Sequence, residues 1–146
     1  MIVLDTNVIS ELLTPAPSPG VERWLSVQPP MSVFTTTITQ AEILYGLRLL
    51  PSGRRRRDLE AAVLPIFEED LAGRILTFDS DAADSYATLA TARRQMGRPI
   101  SQPDAQIAAI CRLHDAVCAT RNGKDFVHTG IELVDPWSEV WTRASI

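Results

Sequence analysis

Asp5, Glu42 and Asp104 are acidic residues far apart in the chain, one directly after a strand-like run and two at the starts of helices that follow or lead into such runs. Asp5 follows Ile2-Val-Leu4 directly. Glu42 falls in the first turn of the helix expected after the β-prone run 32–36. Asp104 opens the helix that leads into the run 116–120, and Asn122 and Asp125 follow that run. If these runs lie side by side in a parallel sheet, all five side chains collect on its carboxyl-terminal edge, where open α/β sheets bind ligands. Gathered carboxylates repel one another and any phosphodiester. They become useful when a hard cation sits among them, and Mg²⁺ needs few protein ligands because it keeps several waters. Such a cation acidifies water and neutralises charge on a phosphate. Metal-assisted phosphodiester hydrolysis is the chemistry this set serves best.

A plainer reading competes. Thr39-Gln-Ala-Glu42 has the form of a capping box, Ser101-Gln-Pro-Asp104 is a near variant, and Asp5 has the type to cap the next helix. Helix N-termini favour acids, and a parallel α/β fold collects those termini on one edge anyway. Two points weigh toward a site. Thr39 and Ser101 already suffice as caps, leaving Glu42 and Asp104 spare. No serine triad, glycine-rich phosphate loop or Cys-x-x-Cys pair competes for the edge. An aspartyl-phosphate mechanism would want a second acid beside or two after Asp5, where the chain has Thr6 and Asn7.

The elements that must position these residues alternate. Runs 1–4, 32–36, 74–78, 116–120 and 131–134 read as strands. Helical spacing covers 7–13, 21–27, 39–50, 54–72 with an interruption near Pro65, 81–96 closed by Gly97, and 101–114 with Ile107, Ile110 and Cys111 inward. Alternation of this kind predicts an α/β fold with a mostly parallel sheet. The 146 residues, 45% hydrophobic, fit a single domain (1–146) with its own core. Cys111 and Cys118 read as buried reduced thiols, and His114 and His128 lack ligand spacing. No run is apolar and long enough for a membrane span, and the opening Met1–Leu4 run lacks the pattern of a signal peptide, so a cytoplasmic location is expected. The net charge of −4 is unlike a typical nucleic-acid binder, but it does not separate a local acidic site from arginines placed elsewhere.

Four segments in order carry a family resemblance: Ile2-Val-Leu-Asp-Thr-Asn-Val-Ile-Ser10, Thr39-Gln-Ala-Glu-Ile-Leu-Tyr-Gly46, Pro103-Asp104 with Ile107-Ala-Ala109, and Ala119-Thr-Arg-Asn-Gly-Lys-Asp-Phe126. Together with Val134-Asp-Pro-Trp137 they resemble the PIN-domain family, and within it the VapC-type toxins of the FitB-like branch. The resemblance spans nearly the whole chain. It implies a three-layer sandwich, a central, mostly parallel sheet flanked by helices. It also implies Mg²⁺- or Mn²⁺-dependent RNA cleavage, an antitoxin of the VapB type, and a homodimer or toxin–antitoxin hetero-oligomer. Carried over by position, Asp5, Glu42 and Asp104 are the metal-binding catalytic acids, and Thr6 supports Asp5. Asn122 completes the catalytic set where the family often has a fourth acid. A neutral amide is a poorer ligand, which weakens the case for a permanent second ion. Asp125 is expected to shape the Asn122-Gly123 turn.

Among the cations, Arg121 is the best single candidate to touch substrate. Arg54–Arg57 reads first as a solvated helix start and second as a contact for RNA phosphates or an acidic partner. Arg93, Arg94 and Arg98 are placed to flank the acidic edge, whereas Asp79, Asp81 and Asp84 read as caps. Trp24, Tyr45 and Leu49 read first as core and second as apolar surface for a partner. A PIN-fold RNA- or protein-binding module with weakened catalysis is the alternative function, and the full set of Asp5, Glu42 and Asp104 argues against it.

Overall fold

The computed structural model describes residues 1–138 and 140–143. Six strands form one sheet: β1 (Ile2–Leu4), β2 (Val33–Thr36), β3 (Ile75–Leu76), β4 (Val117–Ala119), β5 (Glu132–Asp135) and β6 (Val140–Arg143). Their order across the sheet is β3-β2-β1-β4-β5-β6. The first five run parallel, and β6 returns antiparallel to β5. Reading β5 as the last strand therefore missed β6.

Six α-helices connect the strands: α1 (Thr6–Leu12), α2 (Pro19–Ser26), α3 (Thr37–Leu49), α4 (Arg54–Pro65), α5 (Ser80–Gln95) and α6 (Gln102–Leu113). Alternation along β1 divides the core. Ile2 and Leu4 pack with Val8, Ile9, Trp24, Ile43, Leu47 and Val63 from α1–α4. Val3 points to the other face, with Leu89 of α5 and Ile107, Ala108 and Cys111 of α6. The result is the expected three-layer sandwich. The helix after Arg54 does break at Pro65, continuing as a wider π-type turn over Ile66–Asp70. Gly97 closes α5 at φ +72°, a left-handed conformation that favours glycine. Trp24 is core, while Tyr45 and Leu49 are exposed. Both cysteines are free and buried. Among the described residues no helix is long and apolar enough to cross a membrane.

The strand order sets the site. From β1 the chain moves outward to β2 and β3, then crosses back to place β4 on the other side of β1. The connections part in opposite directions at β1 and β4, leaving a crevice beyond their carboxyl ends.

Candidate acidic active site

Asp5 sits at that crevice because β1 stops there. Its backbone N–H extends the β1–β4 ladder by donating to the Ala119 carbonyl at 3.0 Å, and the chain then turns directly into α1. Asp5 is buried, and its Oδ1 accepts the Thr6 N–H at 2.8 Å as the cap of α1. Capping occupies only one oxygen. Oδ2 accepts the Thr120 hydroxyl at 2.8 Å and the Asn7 amide at 3.0 Å. Thr120 in turn accepts from Asn7 Nδ2 at 3.1 Å and from the Asn122 N–H at 3.0 Å, which uses its full hydrogen-bonding capacity. The side-chain Oδ1 of Asn7 accepts the Arg121 backbone N–H at 3.1 Å. That bond fixes which way the Asn7 amide faces.

Glu42 reaches the same place from α3, with a correction to the expected geometry. The cap of α3 is Thr36, whose hydroxyl accepts the Thr39 N–H at 3.1 Å. Thr36 ends β2 in an extended conformation, so strand passes into helix without a loop. Thr39 is therefore inside the helix, and Glu42 lies in its second turn, with no capping role. Thr39 is buried and its hydroxyl lies 3.1 Å from that of Thr6. Thr6 Oγ1 donates to Glu42 Oε1 at 2.9 Å. A hydroxyl has one hydrogen, so Thr39 must be the donor toward Thr6. Thr6 thus supports both acids, Asp5 through its backbone and Glu42 through its side chain.

Asp104 opens α6, where Ser101 is the cap as expected, accepting the Asp104 N–H at 3.3 Å. Asp5, Thr6, Asn7, Glu42, Asp104, Arg121 and Asn122 all line one open cleft of about 470 Å³. The sequence-derived set is brought together there. Trp137 lines it as well and was not anticipated as a site residue.

The charges in the cleft are strained against each other. Burial pushes the Asp5 carboxyl up to about 6, and the charges of Asp104 and Glu42 add to this against the opposing Thr120 and Thr6 hydrogen bonds. Burial also raises Asp104, with Asp125 adding, while the Ser101 hydroxyl and the Arg93 guanidinium oppose. Asp125 lies within a short 3₁₀ turn (Gly123–Phe126), its N–H donating to the Asn122 carbonyl at 2.9 Å, so it shapes the turn and lends its charge to the site. The oxygen-only acids suit a hard cation. Among the described residues, however, no three His, Cys, Asp or Glu side chains converge closely enough to enclose an ion unaided. The donors fit an ion that keeps much of its water.

The arginines divide. Arg93 is buried and donates to the carbonyls of Arg98, Asp125 and Val127. It is a buried strut that flanks the acidic edge, as expected, through its charge on Asp104; Arg94 and Arg98 are exposed. Arg54 and Arg56 pair with Asp58 and Glu60 one turn on, as in a solvated helix start. Asp79 caps α5 through the Ala82 N–H.

The chain matches the PIN domain over residues 2–132. It is 41% identical over 141 residues to VapC ribonuclease Y4jK of Sinorhizobium fredii, covering 94% of this chain and 98% of that protein. It is 37% identical over 143 residues to toxin FitB of Neisseria gonorrhoeae, covering 95% and 100%. The crystal structure of FitAcB from Neisseria gonorrhoeae superposes with a TM-score of 0.88 at 36% identity, over 94% of this chain and 99% of that one. With the fold, the site order and these likenesses in agreement, the chain belongs to the PIN-domain family, in its VapC-type, FitB-like branch.

Proposed function

We propose that the chain is a Mg²⁺-dependent ribonuclease, with Mn²⁺ able to substitute, acting as the toxin of a type II toxin–antitoxin pair. The observation that carries this reading is the shared cleft of Asp5, Glu42 and Asp104, in which Asp5 is buried and its neighbours' charges oppose its ionisation. Asp5, Glu42 and Asp104 hold the cation. When bound, it supplies a nucleophilic water at neutral pH and neutralises charge on the scissile phosphate. Thr120, Asn7 and Thr6 fix the two oxygens of Asp5, and Thr6 also fixes Glu42. Asn122 borders the cleft as a neutral member, and Arg121 offers a cation to the RNA backbone.

The partner assigned by this reading is a protein antitoxin, within a hetero-oligomer or around a toxin homodimer. Supporting it is a mainly apolar groove of about 700 Å³ lined by Leu13, Ile43, Leu47, Leu50 and Leu59, which shares Thr6 and Glu42 with the acidic cleft. A segment lying there would approach the acids.

The test is cleavage of single-stranded RNA by purified chain, with EDTA, Mg²⁺ or Mn²⁺, beside Asp5→Asn. Cleavage that needs the metal and disappears in the variant is the expected result. Metal-independent cleavage, or a variant as fast as wild type, overturns the reading.

A further inference from the structure

Arg121 and Trp137 meet because two parallel strands end level with each other. In the β4–β5 register Ala119 stands opposite Val134. Arg121 comes two residues after the first and Trp137 three after the second. The Arg121 guanidinium carbon lies 4.8 Å from the centroid of the indole ring, within cation–π range. Trp137 is held in turn. Its backbone N–H donates to Asp135 Oδ1 at 2.9 Å, and its side chain packs partly against the α1–α4 core. Both residues line the cleft with Asp5, Glu42 and Asp104.

A guanidinium beside three carboxylates has an obvious alternative, to fold down and pair with one. Among the described residues Arg121 forms no ion pair. Asn7 fixes its backbone, and the indole face gives the side chain a resting place that leaves its hydrogen-bond donors free.

We propose that Trp137 is a positioning residue: its indole holds the Arg121 guanidinium off the acids of the cleft and presents it to a phosphate of the RNA. This rests on the ribonuclease reading. Arg121 is the group that touches substrate, and Trp137 acts only through it. An arginine paired with Asp5 or Asp104 would serve neither RNA nor metal, so the same contact keeps the acids free.

The test compares Arg121→Ala, Trp137→Leu, Trp137→Phe and the Arg121→Ala/Trp137→Leu double variant in cleavage of a single-stranded oligoribonucleotide at several salt concentrations. Leucine keeps apolar packing without the π face, and phenylalanine keeps the face. Arg121→Ala should raise KM about tenfold and flatten the slope of log(1/KM) against log[salt] by about 0.7, the value for one phosphate contact on a single strand. Trp137→Leu should raise KM about fivefold and flatten the slope in the same direction, with the loss falling on KM more than on kcat. Trp137→Phe should return KM to within about twofold of wild type. The double variant should be no worse than Arg121→Ala alone, since both changes remove one contact. A Trp137→Leu protein that melts earlier but keeps wild-type KM and salt slope overturns the inference, as does an additive double variant. Wild-type protein that cleaves no RNA with either metal overturns the ribonuclease reading, and this inference with it.

Discussion

The Thr120 hydroxyl donates to Oδ2 of Asp5 at 2.8 Å across 115 residues of sequence, joining the ends of β1 and β4. Thr120 is buried, so water has little access to replace that bond. Replacing it with valine keeps shape and removes the donor. It also leaves the Asn7 amide and the Asn122 N–H without their shared acceptor. Thr120→Val should move the acid limb of the pH–rate profile up by about one unit, since the bond favours ionised Asp5. A profile unchanged in the variant would mean that the bond does not tune this carboxyl.

Asp5 titrates near 6 in the folded chain against 3.8 as an ordinary carboxyl. A raised folded value means that the fold prefers the protonated acid. The associated stability is fully present below about pH 3.8 and is lost as pH rises through about 6, a cost of about 3 kcal/mol at neutral pH without metal. Asp5→Asn should therefore melt higher than wild type at pH 7.5 in EDTA, with little gap at pH 4. Thermal melts across that range check it. Equal gaps at both pH values would remove the electrostatic explanation.

The same titration governs cation affinity, because protons and metal compete for one carboxylate. Mn²⁺ affinity should fall about tenfold for each pH unit below 6 and level off above about 7. Calorimetry at pH 5, 6 and 7.5 measures this, and a pH-independent affinity would exclude Asp5 as a ligand.

Glu42 and Thr36 share a helix but divide its tasks. Thr36→Ala should cost about 1 kcal/mol in urea denaturation by removing the cap. Glu42→Gln should cost less than about 0.5 kcal/mol, being exposed and outside the cap, while cutting cleavage at least tenfold. A large stability loss from Glu42→Gln would return this residue to a structural role.

Arg93→Met tests the strut behind the cleft. It leaves three carbonyls without their donor and should cost about 3 kcal/mol. It should also raise Asp104 further, since the guanidinium holds that acid down. Denaturation together with the pH–rate profile would register both effects, and a variant of wild-type stability would contradict the first.

Patterns with local causes were legible in the sequence. Apolar and β-prone runs gave the five parallel strands, helical spacing gave the six α-helices, and the parallel-edge argument brought Asp5, Glu42 and Asp104 to one cleft. Where several residues had equal local merit, the sequence did not choose. Thr35-Thr-Thr-Ile-Thr39 offers more than one cap, and Thr36 takes the role only because β2 ends there in an extended conformation. Asn7 and Thr120 look like a helix start and a strand end. Their service to Asp5 exists only once β1 and β4 lie together. Trp137 and Arg121 depend likewise on the β4–β5 register, and β6 on a partner strand for its four residues. Arg93 was legible as a neighbour of the acidic edge, but nothing in the sequence marks which carbonyls bury it.

The most direct measurement is Mn²⁺ binding followed by electron paramagnetic resonance at pH 7.5, on wild type and on Asp5→Asn. One Mn²⁺ per chain in the wild type, displaced by Mg²⁺, and at least a tenfold weaker affinity in the variant is the expected result. Equal affinity in the two proteins, or none in either, would contradict the account.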